Sequence, residues 1–217
     1  YQTYNKLSFG DKMSYLALKA LKNIKFKPYW LDNIGDQEIF PSLQENINCD
    51  LLVVGGGYTG LWSALLAKEA NPEKDIVLIE AKSVAIGASG RPGGIVSTSL
   101  MHGMGHSLRL FPDELSELET LGKKNLDDFR ATIEHHNIDC DLEWTGELTV
   151  SVGKQGMAVI DEEYELHNQY GHTVKRLSKI ETQAEINSPL FEGSFWNKIR
   201  SGTVHPAKLA IGLKKAC

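Results

Sequence analysis

No apolar run in the sequence approaches the length of a membrane span, and the first thirty residues lack the uninterrupted apolar core of a secretory signal. The expected location is the cytoplasm, and with Tyr rather than Met at residue 1 the true N-terminus is left open. Cysteine is scarce: Cys49, Cys140 and Cys217 stand far apart, without CxxC or zinc-ligand spacing, which excludes a disulfide framework and suits buried thiols in a reducing compartment. Positive charge is not in excess either. With 23 Lys and Arg against 28 Asp and Glu, the net charge is -5 and there is no global basic field, so nucleic acid is not expected as a partner. Internal repeats and low-complexity tracts are absent. What remains, 41% hydrophobic and 24% charged over 217 residues, is the composition of a globular protein with one or two cores.

Met13, Leu16, Ala17, Ala20, Leu21 and Ile24 recur at helical spacing, with lysines largely on other faces, which predicts an amphipathic helix packed on its own protein rather than on a membrane. From Pro28 to Asn48 the chain reads as an extended arm. Asp50–Val54 is a short apolar run expected as a parallel strand buried on both faces. Tyr58–Ala70 has helical periodicity and ends at Asn71-Pro72, and Asp75–Glu80 is a second such strand. Strand, helix and strand within about thirty residues make a βαβ unit. A long helix is expected from Pro112 and Asp113, with the stripe Leu115, Leu118, Gly122, Leu126, Phe129 and Ile133. Beyond it, 141–152 and 194–204 read as strands of a different sheet. Between them come a helix over about 156–170 and a short one after Ser178.

Gly55-Gly56-Gly57-Tyr58-Thr59-Gly60 satisfies GxGxxG, a weak signal alone in a chain with 20 glycines. Its context strengthens it: the run follows a strand, opens a helix, and Glu80 lies twenty residues past Gly60. Gly55 permits the tight turn, Gly57 lets a pyrophosphate approach the backbone, and Gly60 lets helix and sheet pack closely. The helix N-terminus offers free N–H groups to the diphosphate, and Glu80 offers its carboxylate to the adenosine ribose. That negative charge disfavours NADP, while FAD and NAD both fit. The next loop, Gly87-Ala88-Ser89-Gly90-Arg91-Pro92-Gly93-Gly94, favours FAD, because it offers backbone donors beside an extended cofactor and room for a flat ring.

These two loops, the Glu80 strand end and Gly202-Thr203-Val204-His205-Pro206-Ala207-Lys208-Leu209 resemble the D-amino-acid oxidase, glycine oxidase and sarcosine oxidase superfamily, most of all γ-glutamylputrescine-oxidase-like members. The resemblance runs from about Trp30 to the end. It implies an α/β fold: a Rossmann-like FAD-binding domain with a parallel sheet, joined to part of an α+β substrate domain. The organisation expected is the amphipathic helix and arm over 1–48, the FAD-binding domain with the long helix over 49–140, a partial substrate domain over 141–204, and the start of a return to the FAD domain over 205–217. The activity implied is oxidation of the C–N bond of an amine or amino acid, with hydride passing to flavin N5 and oxygen reoxidising the flavin. The family's loop has Asn where this chain has Pro92, which removes one side-chain donor.

The expected cofactor contacts are Gly55, Gly57, Tyr58, Thr59, Gly60, Glu80, Ala81, Ser89, Gly90, Arg91, Gly93 and Gly94. No catalytic residue is assigned. Family members continue past this stretch, so a missing C-terminal half or a partner chain is expected. A non-catalytic product and an NAD-dependent dehydrogenase stand as alternatives. No metal is expected: His102 and His106 are four apart, but Gly103 and Gly105 argue against a helix there. His135-His136 reads as a helix-end dipole partner, and His167, His172 and His205 as surface or turn residues. Ser89 lacks the context of a hydrolase elbow.

Overall fold

The computed structural model describes residues 21–38 and 40–217, so the predicted helix over 13–24 falls mostly outside the described residues. Within the arm, Tyr29–Asn33 forms a short helix, α1, after Pro28. The βαβ unit follows as β1 (Leu51–Val54), α2 (Tyr58–Ala70) and β2 (Ile76–Ile79), with β1 and β2 parallel and Leu51 opposite Ile76. The fold of this half is Rossmann-like. Leu61, Ala64 and Leu65 of α2 are buried against the strands and the last helix, α7 (Pro206–Ala216), which contributes Ala207, Leu209, Ala210 and Leu213.

β1 departs from expectation. Leu52 is 51% and Val54 75% exposed, because β1 is hydrogen-bonded along one edge only and covered by α2 on one face. Its apolar composition anticipates burial on both faces; within the described residues only one face has a cover.

β3 (Ile95–Ser97) pairs antiparallel with β7 (Ser201–Thr203), joining residues over a hundred positions apart. A third sheet has the order β4 (Glu147–Val152), β6 (Phe191–Asn197), β5 (Val174–Leu177), antiparallel throughout. Its helices are α5 (Met157–Gln169) and α6 (Lys179–Glu185), both packed on β6. A capping box opens α6: Ser178 Oγ accepts from the Glu181 N–H, while Glu181 accepts from the Ser178 N–H.

Other boundaries move for identifiable reasons. α4 spans Leu115–His135, and Pro112 and Asp113 form a turn before it rather than its first residues. The strand expected over 141–152 begins at Glu147, after Gly146 turns the chain at φ +82°. The stretch 194–204 divides into β6 and β7 in different sheets. A helix, α3 (Met104–Leu110), includes Gly105 and follows Gly103 at φ +107°; Gly105 lies so close to the Glu163 carboxylate that a Cβ would stand 2.5 Å from Oε1. Close packing on α5 thus outweighs the roughly 1 kcal/mol helix penalty of glycine.

Candidate cofactor site

The glycine turn between β1 and α2 is set by backbone geometry. Gly55 has φ +108°, which a side chain resists, and a Cβ on Gly60 would lie 1.9 Å from the Gly55 carbonyl oxygen. Among the described residues none accepts a hydrogen bond from the N–H of Gly57, Thr59 or Gly60. These donors stand at the positive end of the thirteen-residue α2, the arrangement that binds an anion.

Glu80 braces this turn. One carboxylate oxygen accepts from the Gly56 N–H at 2.7 Å and the other from the Lys82 N–H at 2.9 Å. The Gly56 bond, then the Lys82 bond, hold its carboxyl below the usual carboxylate range, so it is ionised at neutral pH. A carboxylate has about four acceptor directions, so two remain for hydroxyl groups. Ala81 follows it in an exposed bend.

The second loop meets the first directly. Ser89, in a single 3₁₀ turn over Ala88–Gly90, accepts from the Tyr58 N–H at 2.9 Å, and a Cβ on Gly57 would lie 3.1 Å from its hydroxyl. Gly90 packs against the Ala85 carbonyl and Leu31, leaving no space for a side chain. The Arg91 guanidinium donates to the Ile86 carbonyl at 3.1 and 3.2 Å and closes its own loop. Gly94, at φ +78°, accepts from the Val204 N–H at 2.7 Å, whereas Gly93 faces open space. The side chain of Tyr58 turns away from the anion donors: its hydroxyl donates to the Pro206 carbonyl at 2.8 Å, and burial raises its pKa.

Two supports are not evident from the sequence. Trp30 of α1 donates through Nε1 to the Pro92 carbonyl at 2.8 Å, and its ring meets His205 edge-on at 4.8 Å. His205, expected at the surface, is buried: Nδ1 accepts from the Lys208 N–H and caps α7, and Nε2 meets Asn33 Oδ1 at 3.1 Å. The His205-Pro206 pair is the available signal, since a capping residue followed by proline opens a helix.

His167 and His172 are corrected in the same way. Arg200 donates to Glu119 and, at 2.6 Å, to His172 Nε2; His172 Nδ1 then meets His167 Nδ1 at 2.8 Å. These side chains tie α4 and α5 to the β6–β7 connection. Burial first, then the neighbouring His172 and Arg200, lowers His167 to about 4; burial and Arg200 do the same for His172. Both rings are neutral at pH 7. His106 pairs with Arg109 in α3, and His102 lies outside that helix.

The strand, glycine turn and helix, with an acidic residue at the end of the second strand, define a dinucleotide-binding protein of Rossmann-like fold. The chain belongs to the DAO family, described as FAD dependent oxidoreductase, whose pattern matches residues 50–217. It is 34% identical to gamma-glutamylputrescine oxidoreductase of Escherichia coli (strain K12) over 85% of this chain and 43% of that protein. Among solved structures it resembles glycine oxidase from Geobacillus kaustophilus, with TM-score 0.63, 20% identity, and coverage of 77% of this chain and 44% of that one. It also resembles L-alpha-glycerophosphate oxidase from Mycoplasma pneumoniae with FAD bound, with TM-score 0.58, 18% identity, and coverage of 76% and 41%. The chain therefore spans less than half the length of these relatives. No helix among the described residues is long and apolar enough to cross a membrane.

Proposed function

We propose that this chain supplies the adenosine-diphosphate cradle of an FAD-dependent oxidoreductase acting on the C–N bond of an amine or amino acid. The observation that carries the reading is the fusion of two glycine loops into one surface through the Tyr58 N–H to Ser89 hydrogen bond, with Glu80 bracing the first loop. The N–H groups of Gly57, Thr59 and Gly60 would hold the diphosphate and Glu80 the ribose hydroxyls. Gly55 supplies the turn, and Ser89, Gly90, Arg91, Gly93 and Gly94 form the loop beside the rest of the cofactor. Tyr58 contributes its backbone and a structural hydroxyl, and Ala81 a place at the ribose edge. FAD, when bound, supplies the hydride acceptor. The protein's part is to hold this acceptor in register with a substrate on the face of the β4–β6–β5 sheet.

The exposed apolar residues of β1 and Ile95, 72% exposed in β3, favour a unit covered by further polypeptide, whether the rest of a longer chain or a partner. The test is to express the polypeptide that carries this stretch and titrate it with FAD and NAD. An amine and amino-acid panel then follows, read by flavin bleaching without air and peroxide with it. Bleaching by a panel member supports the proposal. Nicotinamide dependence without bound flavin, or absence of any flavin, overturns it.

A further inference from the structure

The C-termini of α2 and α4 converge away from the glycine loops. Glu69 lies in the last turn of α2, His135 ends α4, and His136 is its cap. Asn137, at φ +50°, reverses the chain, and the Ile138 N–H donates to the Ile133 carbonyl at 2.9 Å while Ile138 enters the core. The backbone presenting the two imidazoles is therefore anchored on both sides.

One ligand atom from each of Glu69, His135 and His136 lies within 4.8 Å of the others. His136 Nε2 meets Glu69 Oε1 at 2.6 Å, and the two imidazole rings stand nearly perpendicular, 4.7 Å between centroids. Glu69 and His135 are exposed and can close on an ion without disturbing packing, whereas the half-buried His136 is fixed. Helix C-termini carry negative partial charge, and Glu69 and His135 each lie in the last turn of one, which favours a cation. His136 also lines an open cleft of about 750 Å³ between α1, the end of α4 and α7, so the position is accessible to solvent.

We infer that Glu69, His135 and His136 form a surface site for a divalent transition-metal ion of the zinc class. Two imidazole nitrogens and one carboxylate oxygen suit zinc, cobalt, nickel or copper, while calcium and magnesium prefer all-oxygen sets. Three protein ligands leave positions for water. The ion takes the place of the His136–Glu69 hydrogen bond, and because a metal binds the unprotonated imidazole nitrogen, acid weakens binding by competition.

The test is titration of the full chain with cobalt(II), followed by zinc(II) competition, at neutral pH. One ion per chain is expected, with cobalt d–d absorption but no thiolate charge-transfer band, which separates this site from Cys49 and Cys217. His135→Ala and Glu69→Gln, both at exposed positions, should keep the metal-free melting temperature. His135→Ala should weaken binding about tenfold or more, by the scale of a lost metal-site contact, and Glu69→Gln by a smaller factor. Zinc should raise the melting temperature of the parent chain but not of His135→Ala. Affinity unchanged in both variants, a thiolate band, or no binding at millimolar metal would overturn the assignment.

Discussion

The glycine cradle and the Glu119–Arg200–His172–His167 cluster both concentrate polar groups, and they treat them oppositely. In the cradle, N–H groups of Gly57, Thr59 and Gly60 stand without partners among the described residues, and Glu80 retains acceptor directions. In the cluster, each side chain is turned to its neighbour in a chain running from Arg200 to Glu119 and through His172 to His167. Unspent donors at a helix N-terminus are capacity for a ligand, whereas donors spent on one another fix helices to a sheet. The two regions should therefore respond differently to substitution and to pH.

Among the substitutions, the largest effect is expected at Gly60. Alanine would gain about 1 kcal/mol of helix propensity, but its Cβ would stand 1.9 Å from the Gly55 carbonyl oxygen, which has no flexible side chain to move aside. Overpacking of this kind should win, costing about 3 kcal/mol or more and lowering the melting temperature by about 6 to 12 °C. FAD affinity should fall with it. Gly93→Ala meets nothing within 4 Å and should change stability by less than about 0.5 kcal/mol. Equal losses at the two positions would remove the distinction between a packed glycine and an open one.

The cluster should respond to acid. His167 and His172 are held at about 4 in the folded chain against an ordinary 6.5, so the unfolded chain binds more protons between those values. Stability is then full above about pH 6.5 and lost as pH falls toward 4, with a slope of about 1.4 kcal/mol per pH unit for each proton taken up. Denaturant midpoints measured across that window should fall with acid, and His172→Gln should flatten the slope. A midpoint independent of pH would mean that the rings titrate freely.

Next in size is the buried pair between Thr182 of α6 and Ser194 of β6, whose hydroxyls meet at 2.8 Å. Thr182→Val keeps the shape and leaves the Ser194 hydroxyl without that partner, at a cost of about 1 to 3 kcal/mol. Adding Ser194→Ala should recover part of the loss, because no polar atom is then stranded. A double variant as unstable as the sum of the singles would show that volume, rather than the hydrogen bond, dominates at this contact.

The cradle was largely legible in the sequence because its determinants are local: a strand, a glycine turn, a helix and Glu80 fall within one stretch, and Gly55 and Gly60 do what their spacing implies. The α4 stripe was legible for the same reason, with Leu115, Gly122, Leu126 and Ile133 all buried. Distant partners explain the rest. The β3–β7 pairing and the placement of β5 beside β6 depend on residues far along the chain, and Val174–Leu177 alone is too short to declare a strand. α3 was missed because Gly105 argues against a helix until the contact with Glu163 is known. His167, His172 and His205 read as surface residues because local periodicity says nothing about an Arg200 or Trp30 that arrives from elsewhere.

The last predicted loss joins the two lessons. Trp30 lies before residue 50, where the family match begins, yet its indole N–H reaches the Pro92 carbonyl in the loop beside the cradle. Trp30→Phe keeps an aromatic ring against His205 and removes only that donor. The cost should be about 0.5 to 1.5 kcal/mol, or roughly 1 to 6 °C in melting temperature, toward the lower end because the bond is exposed. The informative readout is local: amide exchange should rise at Val204, whose N–H donates to the Gly94 carbonyl, and stay unchanged in α6, whose packing Trp30 does not touch. Uniform acceleration in both places would indicate global destabilisation. Protection unchanged at Val204 would show that the second glycine loop holds its shape through Arg91 and Ser89 without the arm.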